Sequence, residues 1–521
     1  MSPPDDNFLQ KKNVLVAVMV VFCMEVYMRR SGILLPISSI PSEYGIGTFS
    51  KQAYEFVDFL AEAGQKIWQI LPLGPTGYGD SPYQSFSTFA GNPYFIDLNG
   101  FIEAGYIEKE DCQKLNFGTN PEYVDYGQLY ANRYLILEKA YDSALENGLE
   151  DDPEYCSFFQ DNKFWLKDYA LYMAVKNACD NACWTEWEDD IRLRKPEAIK
   201  RYSKEYAYEI GFYYFQQYYF DKQWKELKKY ANEKGIEIVG DIPIYVAFDS
   251  ADTWANPELF QLDDDNMPVG VAGCPPDAFC ETGQLWGNPL YDWGYHKETK
   301  YAWWMKRVAH CFKLYDIVRI DHFRGFDEYW FVPYGDATAK NGHWVSGPGY
   351  DLFRAMKKKF SDVKVIAEDL GFLTPSVLDL LEETEFPGMK VLQFAFGGDA
   401  ANLYLPHNHK KNCVVYTGTH DNETTVGWYA NLNDWTRGHV NRYLGITDSK
   451  EVNWAFIRTA LSSVADTVII PMQDYLGLGN EARINMPSSL GKNWEWRMKK
   501  DACTKELAQK ILEMVKLYAR E

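Results

Sequence analysis

YDIVRIDHFRG, residues 315–325, decides the fold: a β-branched core of Ile317, Val318 and Ile320 carries Arg319 and Asp321 at its C-terminal end and stops at Gly325. Six further stretches repeat the pattern of a short apolar core followed by polar or charged residues: KIWQILPLGP (66–75), IEIVGDIPIYV (236–246), VKVIAEDLG (363–371), MKVLQFAF (389–396), NCVVYTGTHDN (412–422) and DTVIIPMQDYLG (466–477). Such continuous apolar runs fit strands buried on both faces of a parallel sheet. Helical spacing lies between several of them, at 50–64, 302–311, 376–384 and 452–465. The alternation predicts an α/β protein, a (β/α)8 barrel of the TIM type, in which catalytic groups sit on the C-terminal ends of the strands.

One long stretch breaks the rhythm. Residues 100–235 are rich in Tyr, Glu, Lys and Leu at helical spacing, as in 161–178 and 206–230, and predict a mostly helical insertion between early barrel strands. Its aromatic cluster GFYYFQQYYF (211–220) is expected to serve helix packing and is kept out of the candidate site. No GxGxxG or GxxxxGK[ST] string occurs, so nothing argues for a nucleotide.

The chain has 521 residues with 53 Lys and Arg against 74 Asp and Glu, a formal charge of -21. That surface repels phosphate backbones and anionic lipid, which removes nucleic acid and acidic membranes as partners. With 17 Trp, 37 Tyr and 30 Phe, a neutral ligand that stacks on rings fits better, and sugars are such ligands. Ten cysteines are too dilute for a disulfide scaffold. Cys179 and Cys183 lack a second pair to complete a zinc site, and His407 and His409 sit in a solvated turn, so neither metal nor cofactor is expected.

Asp321, Glu368 and Asp421 are expected to meet at one mouth of the barrel. Three carboxyls in one pocket cannot ionise independently, because mutual repulsion and burial push their pKa values apart. Acid and nucleophile roles require that separation. Retaining glycosyl transfer needs one carboxylate within reach of the anomeric carbon and a protonated partner about 5 to 5.5 Å away, a gap that adjacent strands supply. Arg319, two residues before Asp321, is expected on the same strand face, where its charge would hold Asp321 ionised. His420 could donate to a sugar hydroxyl, and Asp421 could grip vicinal hydroxyls as the ring flattens.

Several long strings then carry a resemblance: RRSGILLPISSIPSEYGIGTF (29–49), LPLGPTGYGDSPYQSFSTFAGNPYFIDL (71–98), GDIPIYV (240–246), PPDAFCETGQLWGNPLYDW (275–293), VRIDHFRGF (318–326), AEDLG (367–371) and YTGTHDNET (416–424). Together they resemble the amylomaltase family of 4-α-glucanotransferases, the disproportionating enzymes. The resemblance implies a transferase that moves α-1,4-glucan segments from a donor maltooligosaccharide to the 4-hydroxyl of an acceptor glucan or glucose, with retention. It implies Asp321 as nucleophile, Glu368 as general acid/base and Asp421 as transition-state stabiliser. It places Arg319 and His420 beside them, Ser81 and Tyr83 on the sugar, and Trp286 on the acceptor side, in a loop at 275–290 that also holds Phe279. An α-glucan hydrolase on the same barrel would carry the same carboxyls and stays open as the alternative.

Residues 1–28 have no counterpart in these strings. The apolar run VLVAVMVVFCM (14–24) behind Lys11 and Lys12 is shorter than a bilayer span and lacks a small-x-small cleavage site. The expectation is an N-terminal extension outside the fold, with residues 29–521 forming the catalytic barrel; an export signal is the second reading. Free thiols and an acidic body point to the cytoplasm.

Overall fold

The computed structural model describes residues 29–521 apart from 78, 277–280, 372 and 490; the expectation for residues 1–28 lies outside the described residues. Eight parallel strands close into a barrel: β1 (Arg30–Leu34), β2 (Ile67–Gln69), β3 (Glu237–Pro243), β4 (Ile317–Asp321), β5 (Val365–Ala367), β6 (Gly388–Val391), β7 (Cys413–Tyr416) and β8 (Thr467–Pro471). Each pairs with its neighbour in chain order, and β1 closes on β8. Six of these strands lie inside the apolar stretches read from the sequence, and a seventh, β6, begins one residue before its own. The eighth, RSGIL of β1, was not predicted from alternation, because Ser31 and Gly32 interrupt its apolar run; Gly32 is required by the closeness of β2, where a side chain would overlap Ile67.

The barrel wall is dry. β7 and β8 are buried at every position, as expected of a parallel sheet covered by helices. Between β2 and β3 the described residues form helices, the longest being Tyr126–Glu146, Pro153–Ala178 and Ala207–Glu233. Tyr213, Phe215, Tyr218 and Phe220 of the aromatic cluster are buried in that packing. Lys176, buried on helix Pro153–Ala178, bonds Asp249 at 2.5 Å and so ties the helices to the loop after β3.

A second sheet was not predicted. Gln284–Pro289, Gly270–Cys274, Glu328–Pro333 and His343–Ser346 lie side by side in that order, all antiparallel, over the mouth next to β3 and β4. Their Gly and Pro content hid them from the apolar pattern. The stretch at 284–289, expected as loop, is therefore an edge strand.

At the other end of the barrel, Arg520 is fully buried and donates to Leu461 O at 2.6 Å, Ser463 O at 2.9 Å and Arg30 O at 3.3 Å. Arg29 adds a bond to Leu461 O at 2.9 Å. Two guanidiniums thus cap the C-terminal end of helix Val452–Ser462, where the helix dipole favours cations. Arg520→Ala strands these carbonyls and is expected to cost about 3 kcal/mol of stability; an unchanged midpoint in a denaturant melt would contradict this.

His296 and His310 lie among Tyr291, Trp293, Phe89 and Trp165. Burial pulls both imidazoles down to about 4. The unfolded chain takes up those protons near 6.5, so stability from keeping the rings neutral is lost as pH falls from there toward 4. His296→Leu is expected to shift the acid midpoint of unfolding to lower pH, read by circular dichroism; an unmoved midpoint would count against the assignment.

Candidate active site

The site grows from the register of β3, β4 and β5. Asp241 is paired with Arg319, and Ile320 with Ala367, so Asp321 and Glu368 each stand one residue beyond the last β4–β5 pair. Gly240 lets β3 pack closely, since a Cβ there would fall inside the Tyr315 ring. Arg319 then reaches both flanking carboxylates, with Nη1 2.6 Å from Asp241 Oδ2 and 3.0 Å from Asp321 Oδ1. The same-face expectation for Arg319 and Asp321 holds.

Glu368 is fixed at both oxygens by backbone donors. The N–H of His322 donates to Oε2 at 2.7 Å, and that of Leu370 to Oε1 at 2.8 Å. His322 is the residue after Asp321, so the two carboxyls are joined through a single peptide unit. Asp421 lies on the turn beyond β7 and accepts from Asn485 Nδ2 at 2.6 Å, while Arg483 Nη2 donates to its backbone carbonyl at 2.7 Å. His420 Nε2 stands 3.3 Å from Asp421 Oδ2 and 2.9 Å from Tyr83 Oη. Tyr83 Oη in turn lies 2.8 Å from Asp241 Oδ2.

One chain of hydrogen bonds therefore runs from Asp321 through Arg319, Asp241 and Tyr83 to His420, whose ring lies beside Asp421. Since Asp241 can only accept when ionised, Tyr83 gives it its proton and must accept from His420, which assigns the proton of the neutral ring to Nε2. Burial keeps that ring neutral by pulling its pKa down, against the pull of Asp421. Tyr83 and His420 also stack, with ring centroids 5.3 Å apart, under Trp494.

Burial pushes the Asp321 carboxyl up from the usual carboxylate range; Arg319 pulls it back, and Asp241, Glu368 and Asp421 push it further. Burial is the largest of these influences, and Arg319 opposes it in the expected direction. Burial also raises Glu368, opposed by Arg319 and by the Leu370 and His322 N–H bonds. Burial lowers the Arg319 pKa, but Asp241 and Asp321 more than offset it, so the guanidinium stays charged.

Ser81 sits apart from this chain: its Oγ accepts from Tyr83 N at 3.3 Å, shaping the turn that presents Tyr83. Trp286 contacts none of the three carboxyls; its ring stands edge to face with His322, 4.8 Å between centroids. Phe279 lies outside the described residues. Asp241, Asn485 and Arg483 were missed from the sequence. Asp241 left a signal, a charge inside the apolar run IEIVGDIPIYV that demands a buried partner. Asn485 and Arg483 lie past β8 in a stretch of turn composition and left none. Among the described residues no group of His, Cys, Asp and Glu is arranged to hold a metal ion.

A closed parallel barrel with carboxyls and their partners gathered at the C-terminal ends of its strands defines a (β/α)8-barrel enzyme. The 4-alpha-glucanotransferase family matches residues 35–504. A 4-alpha-glucanotransferase of Clostridium butyricum is 53% identical over 486 residues, 93% of this chain and 99% of that one. The solved structure of the amylomaltase from Streptococcus agalactiae in complex with acarbose superposes with a TM-score of 0.92 at 43% identity, covering 94% of this chain and 99% of that one. The amylomaltase of Corynebacterium glutamicum, 17% identical, shares the fold with a TM-score of 0.75, covering 94% and 75% of the two chains. The chain belongs to the 4-alpha-glucanotransferase family. These relatives do not favour the hydrolase alternative.

Proposed function

We propose that Asp321, Glu368 and Asp421 carry out the family's transfer between α-1,4-glucans by a retaining double displacement. The observation that carries this reading is the joining of Asp321 and Glu368 across the His322 peptide, with a Glu368 oxygen 2.7 Å from the His322 nitrogen. In the first step Glu368 gives its proton to the glycosidic oxygen as Asp321, in the carboxylate form that Arg319 favours at 3.0 Å, attacks the anomeric carbon. The C–O bond to the leaving chain breaks, and an ester to Asp321 forms. In the second step the 4-hydroxyl of an acceptor gives its proton to Glu368, its oxygen attacks the same carbon, and the ester bond breaks.

Glu368 must favour its proton in one step and its charge in the other. Burial serves the first need, and the two backbone N–H bonds serve the second. Asp421, held by Asn485, is placed to grip hydroxyls of the flattening ring. His420, Tyr83 and Arg319 keep the carboxylates oriented, and Ser81 supports Tyr83. Donor and acceptor are maltooligosaccharides and longer α-1,4-glucans, and Trp286 is the platform on which the acceptor stacks.

Incubation with maltotriose tests the assignment: transfer yields glucose together with longer oligomers, whereas hydrolysis yields shorter products alone. Trp286→Ala is expected to raise the ratio of hydrolysis to transfer roughly tenfold, because water needs no platform; an unchanged ratio would remove Trp286 from the acceptor side. Among the described residues no helix is long and apolar enough to cross a membrane. Free thiols at Cys112, Cys311 and Cys413 support cytoplasmic residence, which fractionation of the native cell checks.

A further inference from the structure

His322 follows the proposed nucleophile, yet neither its backbone nor its ring belongs to the chain of hydrogen bonds that runs from Asp321 to His420. Its backbone is held at φ 51 and ψ 49, a left-handed conformation that glycine or asparagine adopts more readily than histidine. That turn presents two successive N–H groups to one residue: His322 N to Glu368 Oε2 at 2.7 Å, and Phe323 N to the Glu368 carbonyl at 3.1 Å. A costly backbone at a reacting centre is retained where the side chain is needed.

The side chain is wedged. Its ring meets Trp286 edge to face, 4.8 Å between centroids at 87°, and lies 6.5 Å from the Tyr245 ring. Behind it, a Cβ on Gly325 would come within 3.1 Å of His322 Cδ2, so the ring has no room to retreat. Nε2 is buried and has no partner among the described residues. The ring is neutral, since burial and Arg324 pull its pKa down to about 3.

We propose that His322 is a positioning residue that fixes the acceptor platform Trp286 against the acid/base group Glu368. One end of the residue holds Glu368 through its N–H, and the other end packs perpendicular to the ring of Trp286. The distance from acceptor ring to Glu368 is thereby set by one rigid residue. This matters for transfer more than for hydrolysis: an acceptor hydroxyl must reach both Glu368 and the anomeric carbon, and a displacement of about 1 Å costs on the order of a hundredfold. Water adapts without a platform. The inference rests on the reading of Trp286 as the acceptor platform.

The test uses the full chain with maltotriose as donor and glucose as added acceptor, and reads the acceptor KM, the transfer-to-hydrolysis ratio and the melting temperature. His322→Gly and His322→Asn both suit the left-handed backbone and keep the N–H to Glu368 while removing the ring. Each is expected to raise the acceptor KM roughly tenfold and to lower transfer relative to hydrolysis by a similar factor. Because the ring acts through Trp286, the double variant with Trp286→Ala is expected within about twofold of Trp286→Ala alone.

Additive losses in the double variant, or a wild-type acceptor KM and ratio in both His322 variants beside an altered Trp286→Ala, would overturn the positioning role and leave the platform reading standing. A silent Trp286→Ala would overturn both. A lowered melting temperature with an unmoved ratio would assign His322 to the fold alone and overturn the proposal.

Discussion

Asp321→Asn is expected to lower glucan transfer roughly 10⁴-fold or more and to raise the melting temperature at neutral pH. The first effect follows from chemistry: an amide cannot form the ester to the anomeric carbon that carries the donor between steps. The second follows from burial. A carboxyl whose folded pKa lies above its unfolded value weakens the fold once the pH passes the unfolded value, because the unfolded chain ionises more easily. Asn removes that penalty and leaves Arg319 its stronger partner, Asp241 at 2.6 Å. The gain is therefore present at pH 7 and shrinks below about pH 4, where both states of the wild type hold the proton. Thermal melts at the two pH values check the sign; a lower melting temperature at pH 7 would show that the Asp321–Arg319 bond outweighs burial.

Glu368→Gln is expected to reduce turnover of maltotriose roughly 10³-fold, with a smaller loss for an α-maltosyl fluoride donor. Gln retains the shape and accepts the His322 and Leu370 N–H bonds through at most one oxygen, but it has no proton to give a leaving glycosidic oxygen. Fluoride departs without protonation, so the first step proceeds while the second, which needs Glu368 as base, lags. Single-turnover rates of the first step with the two donors check this contrast. Equal losses on both would mean that Glu368 serves binding and not proton transfer.

The barrel was legible because its strands are continuous β-branched runs that no helix spacing imitates. β1 escaped that pattern, as RSGIL owes its place to closeness with β2 more than to its own apolarity. The antiparallel sheet that carries Trp286 escaped it too, since its strands are short and broken by Gly273, Gly287 and Pro289. Asp321, Glu368, Asp421, Arg319 and His420 were visible as polar residues closing apolar runs. Asp241 was visible only as a misfit within such a run, and Asn485 not at all, because its partner Asp421 is distant in sequence and close only once the chain has folded. The environment of Asp321 could not be read from Arg319 alone, since burial, which only the folded barrel provides, pushes its carboxyl the other way.

Mass spectrometry of Glu368→Gln after exposure to α-maltosyl fluoride tests the central claim most directly, that Asp321 bonds the anomeric carbon while Glu368 serves the oxygen. The account predicts a peptide containing Asp321 heavier by one maltosyl unit, and none in Asp321→Asn/Glu368→Gln. The same adduct on a peptide containing Asp241 or Asp421, or its persistence in the double variant, would contradict it.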